Sequence, residues 1–181
     1  MSKFVALLRG INVGGKHIIR MAELRALCEE LGFTSVATYV QSGNIVFDTA
    51  TRKEATVSEA LEEAIRNRFG FDVAVMTRTA SEIAVVAERN PFLREAKSDP
   101  TRVYVSFLPS RPTAARVRGI KSPATNGERF QVIGREIYLH YPNGYGRSKL
   151  TNVFFERALG IPSTARNART VEALHRLTNT D

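Results

Sequence analysis

Gly10-Ile11-Asn12-Val13-Gly14-Gly15-Lys16 sets two adjacent glycines and a cation behind a short apolar run, Phe4 to Leu8. Glycine amides carry no side chain to hold a ligand away, and successive amides beside a cation form a nest for an anion. Gly14 and Gly15 supply the bare amides, and Arg9 and Lys16 supply the charge. The segment also fits the first seven positions of the phosphate-binding pattern G-x-x-x-x-G-K-[ST], but His17 stands where the magnesium-binding hydroxyl belongs. The next helical pattern begins only near Met21, too late for its N-terminus to meet a phosphate. Holding an anion is expected; nucleoside triphosphate hydrolysis is not.

A second polar cluster, Gln41-Ser42-Gly43-Asn44, reads as a turn between two β-rich runs. If the flanking strands belong to one plait, this turn meets the glycine loop, and Arg9, Asn12, Lys16, Gln41, Ser42 and Asn44 share a patch. Acid–base chemistry there would fall to His17 and Ser42, with no carboxylate near them in sequence, so no catalytic residue is assigned. Further along, Asn143-Gly144-Tyr145-Gly146-Arg147-Ser148-Lys149 is a turn entering a helix, with Ser148 its expected cap. Cations at a helix start oppose its dipole, and that conflict points to an anion held by Arg147, Ser148 and Lys149. Arg166, Asn167 and Arg169, before Thr170, have the same character. His17, His140 and His175 are scattered, and Cys28 lies on an apolar helical stripe with Met21, Leu24 and Leu31, so neither a metal nor a cofactor is expected.

The elements that position these groups follow from periodicity. A strand (Lys3 to Leu8), a helix (Met21 to Leu31), two strands (Ser35 to Val40, Asn44 to Phe47), a helix (Ala55 to Phe69) and a strand (Asp72 to Met76) make the order βαββαβ. That is the order of a ferredoxin-like plait. Thr79-Ala80-Ser81-Glu82 is a capping box opening a further helix that Asn90-Pro91 ends. Arg94 to Thr101 reads as a linker. A second βαββαβ set follows: strand Arg102 to Leu108, helix Thr113 to Ile120, strands Arg129 to Ile133 and Glu136 to Tyr141, helix Ser148 to Leu159, an extended piece Thr164 to Asn167, and a last helix Val171 to Leu177. The fold expected is α+β, two ferredoxin-like plaits each followed by a short extra helix, with domains at residues 1–93 and 94–181. Arg78-Thr79 and Arg169-Thr170 are read as equivalent entries to the two extra helices. Alternation on the second set places Tyr104, Tyr138 and His140 together on an open sheet face.

Four segments in order, Leu8 to Lys16, Tyr39 to Asn44, Asn90-Pro91-Phe92 and Ala165 to Val171, resemble the signature of DUF1697, a bacterial family of unknown function. The resemblance runs from about Phe4 to Leu177. It implies a pair of such plaits and carries over no catalytic role.

The chain of 181 residues has a formal net charge of +8, divided unevenly. Residues 1–90 hold 11 Lys/Arg and 11 Asp/Glu, whereas residues 91–181 hold 15 and 7. A basic half suggests a polyanionic partner: nucleic acid, or a smaller phosphate-bearing ligand at the glycine loop. No apolar run approaches the roughly 18 residues of a membrane helix, so a soluble, cytoplasmic protein without a membrane partner is expected.

Overall fold

Phe4, Val5, Ala6, Leu7 and Leu8 show no alternation because all five side chains are buried. An unbroken apolar run of this length is a strand covered on both faces. In the computed structural model, which describes residues 1–180, it is the central strand β1 (Ser2–Leu8). Then come α1 (Met21–Glu30), β2 (Thr34–Tyr39), β3 (Asn44–Thr49), α2 (Glu54–Phe69), β4 (Val75–Thr79) and α3 (Ala80–Glu88). The chain continues through α4 (Leu93–Ser98), β5 (Val103–Phe107), α5 (Ala114–Arg118), β6 (Arg129–Ile133), β7 (Glu136–His140), α6 (Asn152–Leu159), β8 (Thr164–Asn167) and α7 (Ala168–Thr178). Among the described residues the fold is mixed α+β, with two four-stranded antiparallel sheets and seven α-helices.

The sheets share one plan, with orders β2-β3-β1-β4 and β6-β7-β5-β8. Since β1 and β2 are each antiparallel to β3, they run the same way and end at the same edge of the sheet. Phe4, Ala6 and Leu8 form one core with Leu24, Leu27 and Cys28 of α1 and Val57, Leu61 and Ile65 of α2. The four-residue steps of α2 keep its three buried residues on one stripe. Ile137, Leu139 and Tyr141 pack with Phe155 and Leu159 of α6 in the second core.

Compact units are formed by Met1–Ala84 with the segment beginning at Ala173, and by Val85–Glu172. The division therefore differs from a single cut at 93/94, and its second boundary lies inside α7. Four expectations about individual elements are corrected. Strand β4 begins at Val75, three residues later than expected, and runs through Thr77, Arg78 and Thr79. Its register on β1 reaches Phe4↔Thr79, so these polar residues are ladder residues as well as the approach to a helix. Thr79 does both jobs: its Oγ1 accepts from Glu82 N (3.2 Å) and its own N donates to Glu82 Oε2 (2.9 Å), closing the capping box. The stretch read as a linker contains α4, anchored by buried Phe92, over whose ring the Arg129 guanidinium sits at 5.0 Å while pairing with Glu95.

The internal equivalence also shifts. Arg78 pairs with Val5 and Arg166 with Val105, each as the penultimate residue of its strand. Both side chains are buried, and each Nη1 donates to the carbonyl just before it, Thr77 O at 2.7 Å and Ala165 O at 2.9 Å. Thr79 then matches Asn167, whose Oδ1 accepts from Thr170 N (2.9 Å). Arg166, not Arg169, is the counterpart of Arg78.

Finally, α6 begins at Asn152. Its cap is Thr151, whose side chain accepts from Phe154 N, and Ser148 lies outside the helix.

Candidate functional site

The glycine loop leaves the end of β1 and returns beneath the β2–β3 turn, as strand direction requires. Leu8 N donates to Gly43 O (2.8 Å), and Asn12 Nδ2 donates to Gln41 O (2.7 Å) and Ile19 O (2.9 Å). Ile19 N donates back to Asn12 Oδ1 (2.9 Å). Asn12, at φ +56°, is thus the clamp between the two loops. Asn44 is fully buried and its Nδ2 donates to Tyr39 O (2.9 Å) and Ser42 Oγ (3.0 Å). Asn12 and Asn44 direct their amides into the protein, so the two polar loops meet through groups already bonded to each other.

The tip is a tight hairpin. Lys16 N donates to Val13 O (3.1 Å) across Gly14 (φ +59°) and Gly15 (φ +71°), as in a primed two-residue turn. A Cβ added at either glycine would meet nothing within 4 Å, so the tip projects into open space. Lys16, His17, Arg20 and Gln41 are exposed there, Arg9 is half-buried, and Val13, Ile18 and Val40 are 65%, 57% and 51% exposed. The His17 ring stacks on Phe71 (4.6 Å between centroids), and no hydrogen bond joins it to Ser42. Val40 holds φ +51°, a left-handed conformation rare for a β-branched residue that no sequence signal announces.

The second sheet gathers the other residues at one edge. Val103 opposes His140 and Tyr104 opposes Asn167, so β7 and β8 end where β5 begins. The 141–151 loop leaves that edge, α7 starts there with exposed Arg169, and the 119–128 loop enters it. Two loops are joined side by side. Asn143 Nδ2 donates to Asn126 O (3.0 Å), and Glu128, 9% exposed, accepts from Asn126 N (2.8 Å), Thr125 N (3.1 Å) and the Ser148 side chain. These donors, the Asn126 N–H foremost, hold the Glu128 carboxyl below its ordinary range. Lys121, Arg147 and Lys149, carried by these two loops, are exposed. Ser148 is a loop brace, its Oγ also accepting from Leu150 N (3.1 Å). Arg147 lies in a 3₁₀ turn (Tyr145–Arg147), so the argument from cations opposing a helix dipole does not apply to it or to Lys149.

Arg166 is buried beneath this edge rather than displayed on it, and burial pushes its guanidinium down to about 10. The aromatic platform is corrected too. Directly opposed residues share a face, and Tyr104 opposes Leu139 while Tyr138 opposes Val105, so Tyr104 and Tyr138 point to opposite sides of the sheet. Tyr138 is buried, and Tyr104 stacks on Tyr145 (5.1 Å). Alternation within one strand cannot reveal this, since the cross-strand register sets which residues match. A cleft of about 410 Å³ between α1 and α2, lined by Leu27, Glu30, Leu31, Ala64, Asn67 and Arg68, includes none of the expected site residues. Among the described residues, no helix is long and apolar enough to cross a membrane.

A family described as protein of unknown function, DUF1697, matches residues 1–138. The chain belongs to the DUF1697 family. The match covers the glycine loop, the Gln41–Asn44 turn and Asn90-Pro91-Phe92, and ends before the Ala165 to Val171 segment. A conserved bacterial protein, SP0830 from Streptococcus pneumoniae, has a similar fold, with a TM-score of 0.75 and 23% identity over 98% of this chain and 99% of that one. No curated protein matches.

Proposed function

We propose that this DUF1697 protein binds nucleic acid, without catalysing a reaction on it, through the basic edge of its second sheet. One observation carries the reading: Lys121, Arg147 and Lys149 on the two joined loops and Arg169 at the start of α7 are exposed at that edge. The one acid between residues 100 and 135, Glu128, is enclosed by its own loop donors. Glu95 pairs with Arg129 and Asp99 with Arg102 beside the same edge, and Lys121, Arg147, Lys149 and Arg169 are the cations proposed to meet phosphates. In each half the first two strands are parallel with the third between them, which supports a ferredoxin-like plait. A cytoplasmic location fits such a partner and a lone, buried cysteine, whose thiol is pushed up to about 12.

A second reading, a small anionic ligand at Arg9, Lys16, Gln41 and the Gly14–Gly15 backbone, is supported by the convergence of the two loops in the first unit. Fluorescence anisotropy of labelled mixed-sequence RNA and duplex DNA, between about 50 and about 200 mM salt, decides between them. Six or more phosphate contacts weaken binding by on the order of a thousandfold over that range. No binding at the lowest salt overturns the nucleic-acid reading and leaves the glycine loop to be screened with inorganic phosphate and nucleotides.

A further inference from the structure

The chain contains two Asn-Gly pairs, Asn126-Gly127 and Asn143-Gly144, and the structure sets them side by side in the joined loops. Their surroundings differ. The Asn143 side-chain nitrogen is held by Asn126 O at 3.0 Å, and the Gly144 N–H is committed to Tyr141 O at 3.0 Å. Asn126 is exposed, and among the described residues neither its side-chain amide nor the Gly127 N–H has a hydrogen-bond partner. Gly127, at φ +79°, has no side chain to shield its nitrogen.

We propose that Asn126 is a self-modifying site: its free side-chain amide beside the free Gly127 N–H makes it deamidate in the folded protein while Asn143 is protected. The Gly127 nitrogen bonds to Cγ of Asn126 and releases its proton, the Cγ–Nδ2 bond breaks, and ammonia leaves with that proton. A succinimide results. Water then opens the ring at Cγ, giving an ordinary aspartate, or at the main-chain carbonyl, giving an isoaspartyl linkage. The balance is amide plus water to carboxylate plus ammonium, with no oxidant or reductant.

The product matters because of its position. A new carboxylate two residues from Glu128 subtracts one charge from the edge that carries Lys121, Arg147 and Lys149. The isoaspartyl form also reroutes the backbone through Cβ and Cγ, adding one carbon before the Gly127 nitrogen and turning the Asn126 carbonyl that holds Asn143 into a pendant carboxylate. On the nucleic-acid reading above, modification weakens polymer binding.

Peptide mapping by mass spectrometry of protein aged in mildly alkaline buffer tests the chemistry. Amide-to-acid conversion is expected at Asn126 well ahead of Asn143 in the folded protein, and at both alike in urea. Equal or faster conversion at Asn143 in the folded state, or none at Asn126 while the urea sample converts, overturns the proposal. Asn126→Asp is then compared with the unchanged protein in the RNA titration, and a several-fold weaker affinity at low salt is expected. Unchanged affinity sinks the regulatory part alone. An unchanged protein that never binds RNA sinks the nucleic-acid reading, and the mapping result stands apart from it.

Discussion

Gly43 and Gly14 share a left-handed backbone, φ +79° and +59°, but not the same surroundings. A Cβ at Gly43 would lie 2.7 Å from Leu8 Cβ and 2.8 Å from Ile11 Cδ1, whereas one at Gly14 meets nothing. Gly43→Ala therefore combines backbone strain with overpacking and is expected to cost about 2–4 kcal/mol in urea unfolding. Gly14→Ala carries the backbone term alone, about 1 kcal/mol. Equal costs would mean that Ile11 moves aside and the turn is not seated on it. The need for glycine at both sites was legible in the sequence, since turns with positive φ select it. Which one is also a packing site was not, because that depends on Leu8 and Ile11 arriving from another strand end.

At the scale of elements, the long helices and central strands follow from side-chain periodicity, so α1, α2 and β7 lie close to where their sequences place them. Errors arise where one residue serves two elements or two residues compete for one role. Thr77, Arg78 and Thr79 look like a helix approach because the strand they complete is defined by hydrogen bonds to β1. Ser148 and Thr151 are both hydroxyl residues ahead of the same apolar run, and only the backbone decides which one caps α6. Thr151→Ala should reduce hydrogen-exchange protection at the Phe154 amide and cost about 1 kcal/mol. Ser148→Ala should leave that amide protected, its effect confined to the loop that Glu128 braces. Loss of Phe154 protection in Ser148→Ala would restore the earlier helix start.

Across the whole molecule, the uneven division of charge is plain in the sequence, but the set of cations that can act together is not. Arg147 and Lys149 lie close in the chain, whereas Lys121 and Arg169 join their edge only because β6 pairs with β7 and β5 pairs with β7 and β8. Lys16 belongs to the opposite kind of edge in the other unit, where β1 and β2 end and where Val13, Ile18 and Val40 are exposed. A polymer read through phosphates should register this difference as a slope rather than as affinity alone, since each neutralised phosphate contributes about one unit to the dependence of log K on log salt. Arg147→Ala with Lys149→Ala is expected to flatten that slope by roughly two and to weaken RNA binding alike for different sequences. Lys16→Ala should change it by less than one unit, because Lys16 belongs to the other unit and is not among the cations of the proposed edge. If Lys16→Ala proves the more damaging, the anion is held at the first unit's hairpin, and the basic edge of the second is an ordinary solvated surface.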